Sequence, residues 1–166
     1  ILSGAVIERI RVSAFLILTV FLGSAIWILA GAWGWHPDGW LLTDLGYHDV
    51  GASGVVHAVA GFFTLGVLIN LGARKGKFIN GVAQTIAPHS LPMTLIGLMM
   101  IIFGFFGFLG GCIIFNGGET GWTTIYNTPT NLSAFAFNTL MGFSGGIIGC
   151  YIATRDPFWT MSGGLV

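Results

Sequence analysis

The sequence predicts an all-α integral membrane protein, and three observations carry that prediction. The 166 residues are 54% hydrophobic and only 7% charged, with a mean hydropathy of +0.86. Soluble domains are about 25% charged, so this chain cannot cover itself with a solvated surface. Four apolar segments, near 12–33, 50–73, 92–115 and 132–154, each reach the ~20 residues that cross a hydrocarbon core. Turn-forming stretches separate them: HPDG at 36–39, RKGK at 74–77, NGG at 116–118 and TPT at 128–130.

The first span, 12–33, carries no charged residue and runs out into Trp33, Trp35 and Trp40. With Trp122 and Tyr126 these rings mark one edge of the spans, where interfacial aromatic belts are expected. All six basic residues (Arg9, Arg11, Arg74, Lys75, Lys77 and Arg155) fall at ends that four alternating spans put on one side. Four of the six acids (Asp38, Asp44, Asp49 and Glu119) fall on the other. The positive-inside rule makes the basic side cytoplasmic. A net charge of zero and the lack of a basic tract exclude nucleic acid as a partner. The opening ILSGAVIERIR has no basic stretch ahead of its apolar residues, so it does not read as a signal peptide. It reads as the last turns of an earlier helix, and MSGGLV at 161–166 as an uncapped apolar run, so an internal portion of a longer chain is expected.

The second span, 50–73, contains the stretch DVGASGVVHAVAG at 49–61. At about 100° per residue, Asp49, Ser53, His57 and Thr64 share an arc of roughly 80°. Gly51, Gly54, Ala58 and Gly61 form a neighbouring stripe of small residues suited to close helix packing. Along a continuous helix at ~1.5 Å per residue, His57 lies about 12 Å beyond Asp49, well inside the bilayer. Ionisable groups at such depth cost ~2.5–3.5 kcal/mol on insertion scales and mark pathways or relays by default. The competing reading is a neutral histidine satisfied by a carbonyl of a neighbouring helix. Asp49, at the helix entrance, is expected to act as an N-cap that orders the outer mouth.

In the third span Phe105, Phe108, Cys112 and Phe115 share one helical face, with Gly104, Gly107 and Gly111 beside it. Such a stripe is by itself an ordinary packing surface. Cys112 and Cys150 read as small buried hydrophobes rather than a disulfide or metal pair, and no metal or cofactor is expected. An enzyme is not expected either. His36 and His48 fall in the loop after the first span, and His89 in PHSLP at 88–92, where it caps or packs a turn. No histidine pair on facing spans is therefore available to hold a cofactor. The fourth span, 132–154, contains Asn138 and Thr139, and Asn131 before it matches a glycosylation acceptor, Asn-Leu-Ser.

Taken together these residues resemble the ammonium transporter family (Amt/Mep/Rh). The likeness runs along essentially the whole chain: GAVIERIR at 4–11, GWLLTDLGYHDVGASGVVH at 39–57, LGARKGKF at 71–78, PHSLPM at 88–93, GFFGFLGG at 104–111, and the Asn138–Thr139 pair. The resemblance implies an eleven-helix bundle of two inverted five-helix repeats, assembled as a homotrimer with one pore per subunit. This chain would run from the end of the third helix to the start of the seventh. His57 then matches the first of two pore histidines, and Phe108 one of two stacked gate phenylalanines. Trp35 resembles the tryptophan of the outer ammonium-recruiting site, with two residues inserted before Asp49, which matches the structural aspartate nearby. The second histidine would lie after residue 166 and the other phenylalanine before residue 1. Four positions depart from the family pattern: Cys112 stands for a recruiting Ser, Phe105 for Trp, Leu109 for Asn, and Trp27 for a vestibule Tyr.

The function so implied is passage of ammonium or ammonia, with methylammonium as a further substrate, across a plasma or inner membrane. The ion would be recruited at the outer aromatic site, lose its proton at the gate, and pass as ammonia along His57. A cytoplasmic regulatory protein is an implied partner. The alternative is a non-transporting scaffold or sensor subunit of a larger membrane complex built on the same fold, which the substitutions at Cys112 and Leu109 favour.

Overall fold

The computed structural model describes residues 1–87, 89–116 and 121–163. Pro88 of the PHSLP turn, Gly117, Gly118 and Glu119 of the third loop, residue 120, and residues 164–166 of the C-terminal run lie outside the described residues. The chain is mostly helical and is an integral membrane protein. Among the described residues, four helices are long and apolar enough to span a bilayer: Val12–Gly34, Ser53–Leu71, Leu91–Gly110 and Leu132–Thr154. Two compact units divide the chain, Ile1–Ala87 and Pro88–Val166.

In the first unit a short helix, Leu2–Val6, buries Leu2 and Val6 and packs against the second long helix. Arg9 fastens this contact, donating to the carbonyls of Gly72 and Ala5, while Arg74 pairs with Glu8 at 2.6 Å. The first long helix widens into a π-helical turn at Leu22–Ile26. Its hydroxyls turn inward to their own backbone, Thr19 to Phe15 O at 2.8 Å and Ser24 to Val20 O at 2.7 Å. That satisfies polar groups where a bilayer offers no water. A short helix, Trp40–Leu45, follows and ends on Gly46 in the left-handed region (φ 63°).

Two long helices of this unit approach closely at Gly34, where a Cβ would meet Val55 Cγ2 at 2.8 Å and Tyr47 Cε1 at 3.4 Å. The second of them starts at Ser53, not at 50, because Ala52 takes a left-handed backbone (φ 64°). It stops at Leu71 because Gly72 leaves helical space (φ 80°). A two-stranded hairpin, Phe78–Ile79 with Val82–Ala83, closes the unit around Asn80 and Gly81, both with positive φ. That is the backbone a two-residue hairpin turn requires.

In the second unit Ser90 caps the third long helix, its hydroxyl accepting from Met93 N at 3.4 Å, with Pro92 in the first turn. His89, expected to cap or pack this turn, is exposed, and the capping role falls to its neighbour. The helix ends at Gly110 rather than 115. Gly110 and Gly111 are poor helix formers and the β-branched Ile113 and Ile114 favour a strand, so Ile113–Phe115 pairs with Trp122–Thr124, and that strand with Pro129–Thr130. Phe115 leaves the expected helical face and packs its ring 5.1 Å from Trp122. Asn131 caps the fourth long helix by accepting from Ala134 N at 2.7 Å. Phe106 meets the rings of Phe135 and Phe143 at 6.1 and 6.0 Å, joining the two helices of this unit. Cys112 and Cys150, expected to be buried, are both half-buried, and neither is in a disulfide.

Gly34→Ala should lower the thermal stability of the detergent-solubilised protein, with overpacking costing about 1–3 kcal/mol. Gly31→Ala, where nothing lies within 4 Å of the new methyl group, should not.

Candidate functional site

The first unit places four of the residues singled out in the sequence on its two long helices and the connection between them. Trp35 ends the first helix, its backbone N–H donating to Gly31 O at 2.8 Å. Its indole Nε1–H donates to the backbone carbonyl of Asp49 at 2.9 Å. With the polar edge of the ring committed to the fold, its π face is what it can offer a cation. Trp27, two turns earlier, packs edge-to-face on it, with centroids 6.1 Å apart and planes at 83°.

Asp49 is 2% exposed and its carboxylate is bonded by the turn that follows it. Oδ1 accepts from Ser53 N at 2.7 Å and Ser53 Oγ at 3.0 Å; Oδ2 accepts from Gly54 N at 2.9 Å and Val55 N at 2.7 Å. The opening amides of any helix have no intrahelical partner, and a negative charge there also meets the positive end of the helix dipole. One side chain from the preceding loop thus serves the whole first turn. The Tyr47 hydroxyl lies against Gly54, in the space a Cβ would fill.

The turn so capped is π-helical, Ser53–Ala58. The carbonyl of Ala52 accepts from Val56 N at 3.3 Å and His57 N at 3.1 Å, and His57 Nδ1 lies 3.0 Å from the same oxygen. The ring Nδ1 is thus met by a carbonyl at the start of its own helix. His57 is the fifth residue of the helix, only about 6 Å along its axis at ~1.5 Å per residue. Residues 49–52 are not helical, so the continuous helix expected from Asp49 to His57 is not formed. The expected polar stripe is also re-phased: a π turn breaks the 100° wheel, leaving Ser53 exposed, His57 half-buried and Thr64 buried, its hydroxyl donating to Ala60 O at 2.6 Å.

Of the stripe of small residues, Gly54 meets Tyr47 while Gly61 has nothing within 4 Å. An apolar groove of about 390 Å³ opens beside this region, lined by Trp33, Leu41, Tyr47 and Val55 among others; neither Trp35 nor His57 contributes to it.

The remaining candidates belong to the second unit. Phe105 and Phe108 pack edge-to-face within their helix, centroids 6.0 Å apart. Cys112 lies just beyond the helix end and its thiol donates to Phe108 O at 3.4 Å. Among the described residues, no group of three or more His, Cys, Asp or Glu is arranged to hold a metal ion. Ala52 and Tyr47 were missed in the sequence. An alanine gives no hint of a left-handed backbone, and a tyrosine two residues before a capping aspartate has no signature of its own.

The model of the Ammonium Transporter Family matches residues 1–161. "Ammonium transporter Amt1" of Methanocaldococcus jannaschii is 32% identical over 166 residues, covering 98% of this chain and 39% of its own length. "Ammonium transporter Amt2" of the same organism is 30% identical over 169 residues, covering 100% of this chain and 36% of its own. "Ammonium transporter 1 member 4" of Arabidopsis thaliana is 31% identical over 177 residues, covering 98% and 35% respectively. The chain thus spans well under half the length of these curated relatives. No solved structure matches it significantly.

Asp49→Ala leaves three amides and a hydroxyl without their acceptor, and each hydrogen bond to a charged group is worth about 1.5–3 kcal/mol. The expected result is a loss of at least about 3 kcal/mol, read as a collapsed unfolding midpoint or as aggregation on size-exclusion chromatography. Asp49→Asn, which keeps one acceptor oxygen, should lose less.

Proposed function

The chain belongs to the ammonium transporter family, and from that premise we propose that it forms part of a transmembrane path that recruits ammonium and conducts ammonia. The observation that carries the reading is a run of contacts from the first long helix to the second: Trp27 packs on Trp35, Trp35 is tied to Asp49, and Asp49 caps the turn that holds His57. Ammonium has four donors and no acceptor. The π face of Trp35, steadied by Trp27, supplies ~0.5–2 kcal/mol of cation–π attraction depending on desolvation. Selection against sodium follows, since a donor-rich cation bonds acceptors that a bare ion only polarises.

Carrying a full charge through an apolar constriction is expensive. In this reading the ion gives up its proton before or at Phe108, the neutral molecule passes His57, and the proton moves separately, so that net transport carries charge. Cys112 offers a weak sulfur acceptor where a hydroxyl would serve better, and its thiol is turned to Phe108 O. Recruitment is correspondingly weak. This same observation favours the second reading, a sensor or scaffold subunit that binds ammonium without passing it. The assembly is a homotrimer in a plasma or inner membrane, with the basic ends cytoplasmic, where a regulatory protein docks; methylammonium is a further substrate.

Full-length protein in liposomes should pass ammonium saturably and exclude potassium. His57→Ala should abolish the flux or admit potassium; unchanged flux with unchanged exclusion rejects the proposal, and ammonium binding without any flux in the wild type decides for the sensor. Cys112→Ser restores a hydroxyl and should tighten the apparent affinity for ammonium several-fold, measured by the concentration dependence of the flux.

A further inference from the structure

We infer that the hairpin at 78–83, together with Arg74, Lys75 and Lys77, docks on the surface of an anionic bilayer. The inference concerns a connecting segment, shares no residue with the transport reading and does not depend on it. The span before this segment ends at Leu71 and the span after it begins at Leu91. The hairpin starts at Phe78, seven residues past Leu71, and a turn takes up part of that length, with Lys77 N donating to Arg74 O at 3.0 Å. Seven residues reach at most about 25 Å. The hairpin therefore stays near the end of a membrane helix.

Its pairing sets Phe78 opposite Ala83 and Ile79 opposite Val82, across the turn at Asn80 and Gly81. Paired residues share a face of a ribbon, and successive residues alternate between faces. Ile79 and Val82 thus lie on one face, Phe78 and Ala83 on the other. Phe78, Ile79 and Val82 are each more than half exposed. Among the described residues, then, neither apolar face is covered. A folded protein partner presents one surface and covers one face of such a ribbon. Its footprint is also about 20–30 residues a side, far more than this hairpin offers. The bilayer interface is fluid and closes around both faces, and apolar surface settles ~5–10 Å into it.

Charge selects the same occupant. Lys77 Nζ donates to Gln84 O at 3.0 Å and Gln84 N to Lys77 O at 2.7 Å, which holds the ammonium group at the base of the hairpin. A carbonyl does not neutralise that group, and an ammonium carries three donors. Lys75 is exposed, and Arg74 pairs with Glu8 at 2.6 Å. From Asp49 to Glu119 the sequence holds no other acid, so nothing in this connection offsets the two lysines. A cationic base beneath an apolar tip complements an anionic phospholipid layer, with headgroup phosphates at the level of the lysines and acyl carbon at the level of Phe78, Ile79 and Val82. An acidic protein surface would meet the lysines and leave apolar side chains in water.

The test is the accessibility of a nitroxide label on the full-length protein in vesicles. The label is carried by Ile79→Cys and, separately, by Val82→Cys on the other strand, each after the native cysteines have been changed to alanine. Collision with oxygen reports apolar surroundings, and collision with a water-soluble nickel chelate reports water. In vesicles of phosphatidylcholine mixed with phosphatidylglycerol the label should favour oxygen. In phosphatidylcholine alone, or at high salt, it should favour the chelate. Each basic side chain near an anionic surface changes the ratio of docked to undocked hairpin about five-fold. Lys75→Gln combined with Lys77→Gln should therefore lower that ratio roughly 25-fold in the mixed vesicles.

A label that favours the chelate in both kinds of vesicle overturns the inference, because the hairpin then stays in water. A label shielded from oxygen and chelate alike also overturns it, because protein then covers the ribbon. So does a label that favours oxygen equally in both lipids and is unmoved by the lysine substitutions, because the headgroup charge then has no part in the docking.

Discussion

The buried carboxylate of Asp49 determines where the second membrane helix begins, and most of the first unit follows from it. Its two oxygens take three backbone amides and a hydroxyl, while its own carbonyl receives the Trp35 indole. One residue therefore grips both long helices of the unit, the second through its side chain and the first through its main chain. Water cannot perform this service in a bilayer, where an unpaired backbone group costs several kcal/mol. Because the helix is capped from the preceding loop, Ala52 is released from helical geometry, and the first turn can open to the wider register that seats His57.

Seven polar side chains elsewhere in the spans follow a different rule. Thr19, Ser24, Thr64, Thr139, Ser144 and Thr154 each return a hydroxyl proton to a carbonyl four residues back, and Asn70 returns its amide in the same way. These groups are closed on their own helices and need nothing from outside. Trp35 and Asp49 depart from the rule, since each spends its polar atoms on another segment. His57 departs from it differently, because only one of its two ring nitrogens can meet the Ala52 carbonyl. These departures fall together, between the end of the first long helix and the first turn of the second.

Much of the architecture was legible before any coordinates. Low charge and four apolar runs suffice for a helical membrane protein, because hydrocarbon leaves the backbone so few alternatives. The family was legible in the order of its motifs, from GAVIERIR to the Asn138–Thr139 pair, and the family match over residues 1–161 agrees. What escaped was local. Hydropathy does not say where an apolar run stops being a helix, so the strand at Ile113–Phe115 was folded into the third span. A helical wheel presumes the α register, so neither π turn was foreseen, and with the second went the helical phase of His57. Asn131 serves as a cap, as short polar residues before an apolar run commonly do.

The central claim is that Asp49 holds the entry turn of the second membrane helix. Hydrogen–deuterium exchange of the full-length protein in lipid, compared between wild type and Asp49→Asn, addresses it most directly. The account predicts slow exchange at Ser53, Gly54 and Val55 in the wild type, and a selective loss of that protection in the variant, with Val59–Leu71 still protected. Equal protection of those three amides in both proteins would contradict it.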